Sequence, residues 1–464
     1  MPSMILLNHI INYKQFFRGK KITIMGLGLL GRGVGDAKFL AECGADLVVT
    51  DLKTEKQLAA SVKELRKFKN PEGKSISYGA GIKFVLGRHR LEDFKNRDMI
   101  IKNPGVPLDS AYIKEARRNK ISIEMDVSLF AKLAPLVVII GVTGTRGKSM
   151  TTALIYEILS KNLKNKKIYL GGNVRGVATL PLLKKVKRGD ILVCELDSWQ
   201  LQGFGEEKTS PHISVFTSFM PDHMNYYKDD MKKYFNDKAN IFKYQKKNDV
   251  LVVRPHIKKI IPKDIKSKLI VADVKNIINY KFVVPGEHQR ENLACAVVVA
   301  KALGIKNEDI KKTIGRFKGL EGRLQYVKTI KGIKIYNDNN ATTPEATIAG
   351  IRALAQDNKE GKIILISGGS DKDLDLGLYV NVVNTFCKAV ILIPGTGTNK
   401  LLKNYKFKIP NEKAKDIKNA IRKAFSYSKK GDIILFSPAF ASFGQFNNEY
   451  ERNDLFMKII KELR

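Results

Sequence analysis

Val137-Val-Ile-Ile-Gly141-Val-Thr-Gly144-Thr-Arg-Gly147-Lys148-Ser149-Met-Thr-Thr152 is an apolar, β-branched run that ends in a glycine-rich turn and closes on Gly-Lys-Ser. A buried strand feeding such a turn lets successive backbone N–H groups wrap around a triphosphate. Lys148 would reach the β/γ-phosphates and the Ser149 hydroxyl would bind Mg²⁺. The strict pattern has glycine where Val142 stands, and this chain places its glycines at 141, 144 and 147 instead. A glycine-rich strand-to-helix turn with a chance Lys-Ser would look similar, but the strand context favours a nucleotide.

The chain has 464 residues, too many for one core, and its length suggests about three domains. Its apolar and charged fractions are those of a soluble globular protein. No apolar stretch approaches the ~20 residues of a membrane span, and no signal peptide is expected from Met1-Pro-Ser-Met-Ile-Leu-Leu. Cys43, Cys194, Cys295 and Cys387 lack metal or disulfide spacing, which suits a reducing cytosol. The net charge of +36 raises the question of nucleic acid. The lysines are spread evenly and no basic block carries interleaved aromatics, so no nucleic-acid partner is expected.

Three βα-rich blocks follow one another, at 1–133, 134–318 and 319–464. The first has the strand Lys21–Met25, Gly26-Leu-Gly28-Leu-Leu-Gly31, a helical pattern to Cys43, and the strand Asp46–Thr50 ending at Asp51. That is a βαβ unit with a dinucleotide-type glycine fingerprint and an acid about 20 positions on. Asn103-Pro-Gly-Val-Pro107 is a turn after a further strand. The second block adds strands near 168–170, 191–194 and 213–216 and a helical segment at 231–244. The third has strands at 333–336, 363–366, 389–393 and 433–436. Strands alternating with helices argue for α/β architecture with parallel sheets in every block.

Several strand ends carry chemistry. Glu195, in Cys194-Glu-Leu-Asp197-Ser-Trp199-Gln200, stands where a metal-binding acid belongs, with Asp197 as a second candidate. Met220-Pro-Asp222-His223 reads as metal ligands or as a surface turn. Tyr234 and Lys238 lie one helical turn apart. Gly286-Glu-His288-Gln-Arg-Glu-Asn292 opens an alanine-rich helix, where polar groups hold a base or simply cap. Arg323, the Asn337-Asp338-Asn-Asn340-Ala-Thr342 loop, Ser367–Lys372 and Ser437–Phe443 complete the set.

The order of these motifs resembles the Mur ligase family, essentially end to end. The resemblance implies three domains: an N-terminal Rossmann-like one for UDP, a central P-loop-type ATPase with a parallel sheet, and a C-terminal Rossmann-like one for glutamate. It implies that ATP phosphorylates the alanyl carboxylate of UDP-N-acetylmuramoyl-L-alanine and that the glutamate amine then attacks the acyl phosphate. By motif match, Gly144, Thr145, Gly147, Lys148, Ser149, Asn292, Arg323 and Asp338 hold ATP. Ser149, Glu195, His223 and Lys238 serve two Mg²⁺ sites, with Lys238 in the place of the family's carbamylated lysine. Lys148, His223 and Lys238 form the catalytic set. Leu29, Leu30, Asp51, Lys53, Asn103, Gly105 and Asn173 match the UDP-sugar contacts, and Thr342, Lys372, Ser442 and Phe443 the glutamate pocket. The resemblance further implies a cytoplasmic, monomeric enzyme of peptidoglycan precursor synthesis, with no membrane partner.

The chain departs from the family pattern at Arg146, Met150, Asp197-Ser-Trp199, Gln289 and Asn340, the last replacing a lysine beside the acceptor site. D-Glutamate is expected, and Asn340 leaves an L-glutamate-adding relative open. Another ligase of the superfamily, a nicotinamide-dependent dehydrogenase (from the first fingerprint alone) and a basic nucleotide- or nucleic-acid-binding protein are the remaining alternatives.

Overall fold

The computed structural model describes residues 12–29, 31–67, 82–357 and 362–463. Three sheets follow the three blocks. The first holds β1 (Lys21–Met25), β2 (Asp46–Asp51), β3 (Ile82–Leu86), β4 (Met99–Lys102) and β5 (Ser122–Glu124), ordered β3-β2-β1-β4-β5 and wholly parallel. The second holds β6 (Val138–Thr143), β7 (Ile168–Gly172), β8 (Ile191–Glu195), β9 (Ile213–Phe216), β10 (Val250–Val253) and β11 (Lys268–Val271). Its order is β11-β10-β9-β6-β8-β7, again all parallel.

The third sheet departs from the expectation. It contains β12 (Gln325–Ile330), β13 (Ile333–Asn337), β14 (Ile363–Gly368), β15 (Cys387–Ile393), β16 (Asn411–Lys413) and β17 (Ile433–Phe436), ordered β12-β13-β17-β14-β15-β16. β12 pairs antiparallel with β13, so this sheet is mixed rather than parallel. The two strands are joined by Lys331-Gly332, both at positive φ (50° and 76°), and a two-residue connection of that kind closes only an antiparallel hairpin.

The chain divides into two compact units. One runs to Ile277 and takes back Asn292–Ile310; the other holds Ile278–Glu291 and Lys311–Arg464. In the first, one cluster of buried side chains runs without a break from Ile22, Leu47 and Val49 through Phe130 and Leu133 to Ile139, Leu192, Phe216 and Leu251. The first two sheets therefore share a core. In the second unit alternate residues of β14 enter two clusters, Ile363 and Leu365 on one face, Ile364 and Ile366 on the other. Both faces are covered, as the continuous apolar strands require. Cys43, Cys194, Cys295 and Cys387 are buried free thiols. Among the described residues no helix is long and apolar enough to cross a membrane.

Parallel sheets gather the loops that follow their strands at one edge. In the first sheet β1 and β4 are neighbours at the point where strand order reverses, which brings Gly26–Gly28 beside Asn103. In the second, the loops after β6, β8 and β9 meet. In the third, those after β13, β14 and β17 do.

Phe130 is fully buried in the core the first two sheets share. Phe130→Ala is expected to destabilise that unit by about 3–5 kcal/mol, read as a lowered urea midpoint.

Candidate active site

The phosphate-type loop is held from outside itself. Thr217 Oγ1 donates to Thr143 O (3.0 Å) and Arg146 O (2.5 Å), Arg146 N donates to Ser218 Oγ (2.7 Å), and Thr145 N donates to Ser218 O (2.8 Å). The loop after β9 thus clamps the loop after β6. Two of the glycines cannot be replaced. Gly144 has φ 144°, and a Cβ there would lie 2.1 Å from Thr217 Oγ1 and 2.8 Å from Ser218 N. Gly147 has φ 86°, and its Cβ would meet Asn292 Oδ1 at 2.4 Å. The helix Lys148–Asn162 starts directly after Gly147, and its first intrahelical amide bond is Thr151 N to Gly147 O. The amides of 148 to 150 therefore lie at a helix N-terminus, where an anion is stabilised.

Side chains from three elements converge on this loop. Lys148 Nζ donates to Gly144 O (2.8 Å) and Thr145 O (3.2 Å). Lys238, on the helix Met231–Ala239, is buried and donates from Nζ to the same Gly144 O at 3.1 Å. Its Nζ stands 4.8 Å over the Tyr234 ring, one turn earlier, and Tyr234 OH lies 3.3 Å from Thr145 Oγ1. Burial first, then the Lys148 charge, push the Lys238 ammonium well below the usual lysine range, against the pull of Asp197, Asp222 and Asp237. His223 begins the short helix Met224–Tyr227 at φ 56° and packs on Trp199, ring centroids 4.6 Å apart. Burial lowers its pKa more than Asp222 raises it, which favours the uncharged imidazole.

Glu195 ends β8 in register with Val142 of β6 and is 7% exposed. Among the described residues no hydrogen bond or ion pair reaches its carboxylate, which suits a cation ligand. No three His, Cys, Asp or Glu side chains form a ready metal cage among the described residues. A divalent ion here would take Ser149 and Glu195 together with phosphate oxygens and water, the usual habit of Mg²⁺. Asp197, the second candidate, is instead the N-cap of the helix Ser198–Glu206 in a capping box with Gln200. Met150 is a core side chain, and Arg146 is held through its backbone with an exposed side chain. Asn292 Oδ1 accepts from Arg254 (2.5 Å) and Thr151 (3.2 Å), placing this amide against the loop.

At the first sheet's edge Asp51 turns out to organise the backbone. Its carboxylate accepts from Leu27 N (2.9 Å), Gly28 N (3.1 Å) and Lys53 N (2.8 Å). Asn103 Nδ2 reaches Gly26 O at 3.4 Å, Leu29 is 41% exposed, and Lys53 and Gly105 are exposed nearby. Leu30 lies outside the described residues. Asn173, after β7, accepts at Oδ1 from Arg32 Nη2 (2.8 Å). Sequence reading passed over Lys102, which ends β4 and is 2% exposed. Its Nζ donates to Val106 O (3.1 Å) and Pro104 O (3.4 Å), fixing the Asn103 loop, and burial pushes it down to about 8. The available signal was a lysine closing an apolar strand.

In the second unit Lys372 Nζ donates to Thr342 Oγ1 (3.1 Å). Ser370 Oγ donates to the Phe443 carbonyl, and Ser370 pairs with Ala441. Thr342, Lys372, Ser442 and Phe443 therefore share one edge. Asp338 accepts from Leu324 N (3.0 Å) and Ser437 Oγ (2.8 Å). Burial raises it to about 7 against those bonds and the Arg323 charge. Asn340 is held by its own N–H on Gly322 O (2.9 Å), next to Arg323.

Two outcomes follow from this geometry. Gly144→Ala should cost nucleotide binding about 100-fold or more, by direct titration, with the far-UV spectrum unchanged. Asp338 has a folded pKa above its unfolded one, so its contribution to stability is full below about pH 4 and lost as pH rises through about 7. The stability of the wild type relative to Asp338→Asn should fall from pH 5 to pH 7 and then level; parallel urea curves would contradict this.

The Mur ligase middle domain family matches residues 142–273, the Mur ligase glutamate ligase domain matches 322–440, and the MurD-like N-terminal domain matches 20–124. A protein of Borreliella afzelii (strain PKo) named UDP-N-acetylmuramoylalanine–D-glutamate ligase is 36% identical over 462 residues, covering 95% of this chain and 97% of that one. A protein of Roseiflexus sp. (strain RS-1) with the same name is 33% identical, covering 96% and 98%. Among solved structures, the UDP-N-acetylmuramate–alanine ligase MurC of Thermotoga maritima matches with a TM-score of 0.59 at 18% identity, over 95% of this chain and 99% of that one. That likeness is one of fold. With its three blocks each matched and full-length relatives above 30% identity, the chain belongs to the Mur ligase family.

Proposed function

We propose that this protein joins D-glutamate to the alanyl carboxylate of UDP-N-acetylmuramoyl-L-alanine at the expense of ATP, as a monomer in the cytoplasm. The observation that carries the reading is the convergence of Lys148, Lys238, His223 and Glu195 on one glycine-held loop. The relatives' names support the choice of D-glutamate, and the backbone bond that holds Asn340 in place needs no lysine at that position.

The chemistry has two balanced steps. A carboxylate oxygen attacks the γ-phosphorus, the bond to the bridging oxygen breaks, and ADP leaves. The amine then attacks the acyl carbon, phosphate leaves with the C–O bond pair, and the amine loses a proton. Phosphoryl transfer asks mainly for positioning and charge neutralisation, which Lys148 and the helix N-terminus behind Gly147 supply. Mg²⁺ held by Ser149 and Glu195 would add to the neutralisation. Asn292, Arg323 and Asp338 are assigned to the nucleotide, and Asp51, Asn103 and Asn173 to the UDP-sugar side.

Lys238 has the properties carbamylation needs. A neutral amine adds CO₂ by forming an N–C bond and losing a proton, and burial beside Lys148 favours the neutral amine here. The resulting anion would serve the second metal site with His223 and set a negative charge beside Lys148.

Phosphate release with UDP-N-acetylmuramoyl-L-alanine should depend on D-glutamate and be weak with L-glutamate; no release with either would end the proposal. Lys148→Ala should lower turnover about 1000-fold or more. Lys238→Ala should recover part of its activity with added formate or acetate, and a fully active variant would refute the carbamate.

A further inference from the structure

Arg32 opens the helix Arg32–Glu42 directly after Gly31, which sits at φ 81° as its N-cap. It took no part in the sequence reading. Its Nη2 crosses to the second sheet and donates to Asn173 Oδ1 at 2.8 Å. A guanidinium has donors only, so the Asn173 carboxamide must turn its oxygen toward Arg32 and its Nδ2 away. The rest of Asn173 is equally constrained. Its backbone N–H donates to Glu195 O at 2.7 Å, and the preceding Gly172 has φ 77° with no room for a Cβ, which would lie 2.1 Å from Glu195 O. Among the described residues nothing bonds Asn173 Nδ2. Behind Arg32 stand Asp36, one helical turn on, and Asp126, both 4% exposed; the guanidinium holds down both carboxyls against the strong upward push of burial.

We propose that Arg32 is a positioning residue for the UDP-linked substrate: it locks the Asn173 carboxamide so that Nδ2–H is always offered as a donor to diphosphate or sugar oxygens. The proposal rests on the reading of Asn173 as a contact of that substrate. Its recognition is chemical and directional. A locked donor suits an oxygen-rich anion, whereas a freely rotating amide would first have to be ordered into that orientation. The group that aims the amide belongs to the first sheet's glycine turn, and the amide itself to the end of β7. Substrate contacts on the two sheets are thereby set by one hydrogen bond.

The test is steady-state kinetics of the full chain with Arg32→Gln, Arg32→Lys, Asn173→Ala and the double variant Arg32→Gln/Asn173→Ala. Arg32→Gln should raise KM for UDP-N-acetylmuramoyl-L-alanine about tenfold or more while kcat and the KM for ATP move less than about twofold. The double variant should be no worse than Asn173→Ala alone, because an arginine that acts through Asn173 has nothing left to position. Arg32→Lys keeps a donor without the fork and should lie between wild type and Arg32→Gln. An unchanged KM in Arg32→Gln, or single effects that multiply in the double variant, would overturn the assignment. If Arg32→Gln does not fold, Arg32→Lys against Asn173→Ala decides by the same non-additivity. Wild-type protein that hydrolyses ATP without any dependence on the UDP-sugar would overturn the functional reading itself, and Arg32 with it.

Discussion

The carbonyl oxygen of Gly144 accepts hydrogen bonds from two lysines, Lys148 and Lys238. Their nitrogens therefore lie within about 6 Å of each other, where two full positive charges repel by about 3 kcal/mol even at an effective dielectric near 20. Burial of Lys238 adds a desolvation cost to the charged form. Both effects favour the neutral form of Lys238, and the two side chains meet at that oxygen's position. It is set by a glycine at φ 144° pressed against Thr217 and Ser218, so the loop after β9 dictates the loop after β6. His223, six residues beyond Thr217 and packed against Trp199, arrives on the same segment.

The three sheets solve one problem in three ways. Each places a glycine turn at a strand end, and each needs a polar group to hold that turn's amides or carbonyls. In the first sheet the Asp51 carboxylate gathers three backbone N–H groups. In the second Ser218 and Thr217 do so. In the third Thr398 Oγ1 donates to Ile393 O and accepts from Gly369 N. Residues that look like ligand contacts in the sequence are in part the scaffolding of these turns. Asp51 shows this most clearly, with both carboxylate oxygens given to the backbone.

Strands β1, β2, β4, β6, β8, β9, β14, β15 and β17 were legible because a central parallel strand is a run of apolar residues ending in glycine or a small polar residue. The edge strand β7 was read as well, but the edge strands β3, β12 and β16 were not. β3 (Ile-Lys-Phe-Val-Leu) exposes Lys83 and buries only Val85, β12 (Gln-Tyr-Val-Lys-Thr-Ile) exposes Tyr326 and Thr329, and β16 (Asn-Glu-Lys) has no apolar residue at all. Pairing in such strands comes from the neighbour rather than from the strand's own pattern. At the candidate site, type and order single out Lys148, Glu195, His223 and Lys238, and Lys148 and Lys238 meet at one carbonyl. The capping role of Asp197, the core role of Met150, and the aiming of Asn173 by Arg32 were not legible. Each depends on which way a side chain turns, and spacing along a chain carries no such information. Lys102 and Arg32 share a reason for being missed, since a lone basic residue among so many lysines and arginines gives no contrast.

In the proposed reaction the Gly144 loop holds ATP while the alanyl carboxylate takes its γ-phosphoryl group. The most direct test is to supply UDP-N-acetylmuramoyl-L-alanine labelled with ¹⁸O in the alanyl carboxylate, together with ATP and D-glutamate, and to weigh the phosphate released. The account predicts one ¹⁸O atom carried from the carboxylate into each inorganic phosphate. Product formed with unlabelled phosphate would contradict it.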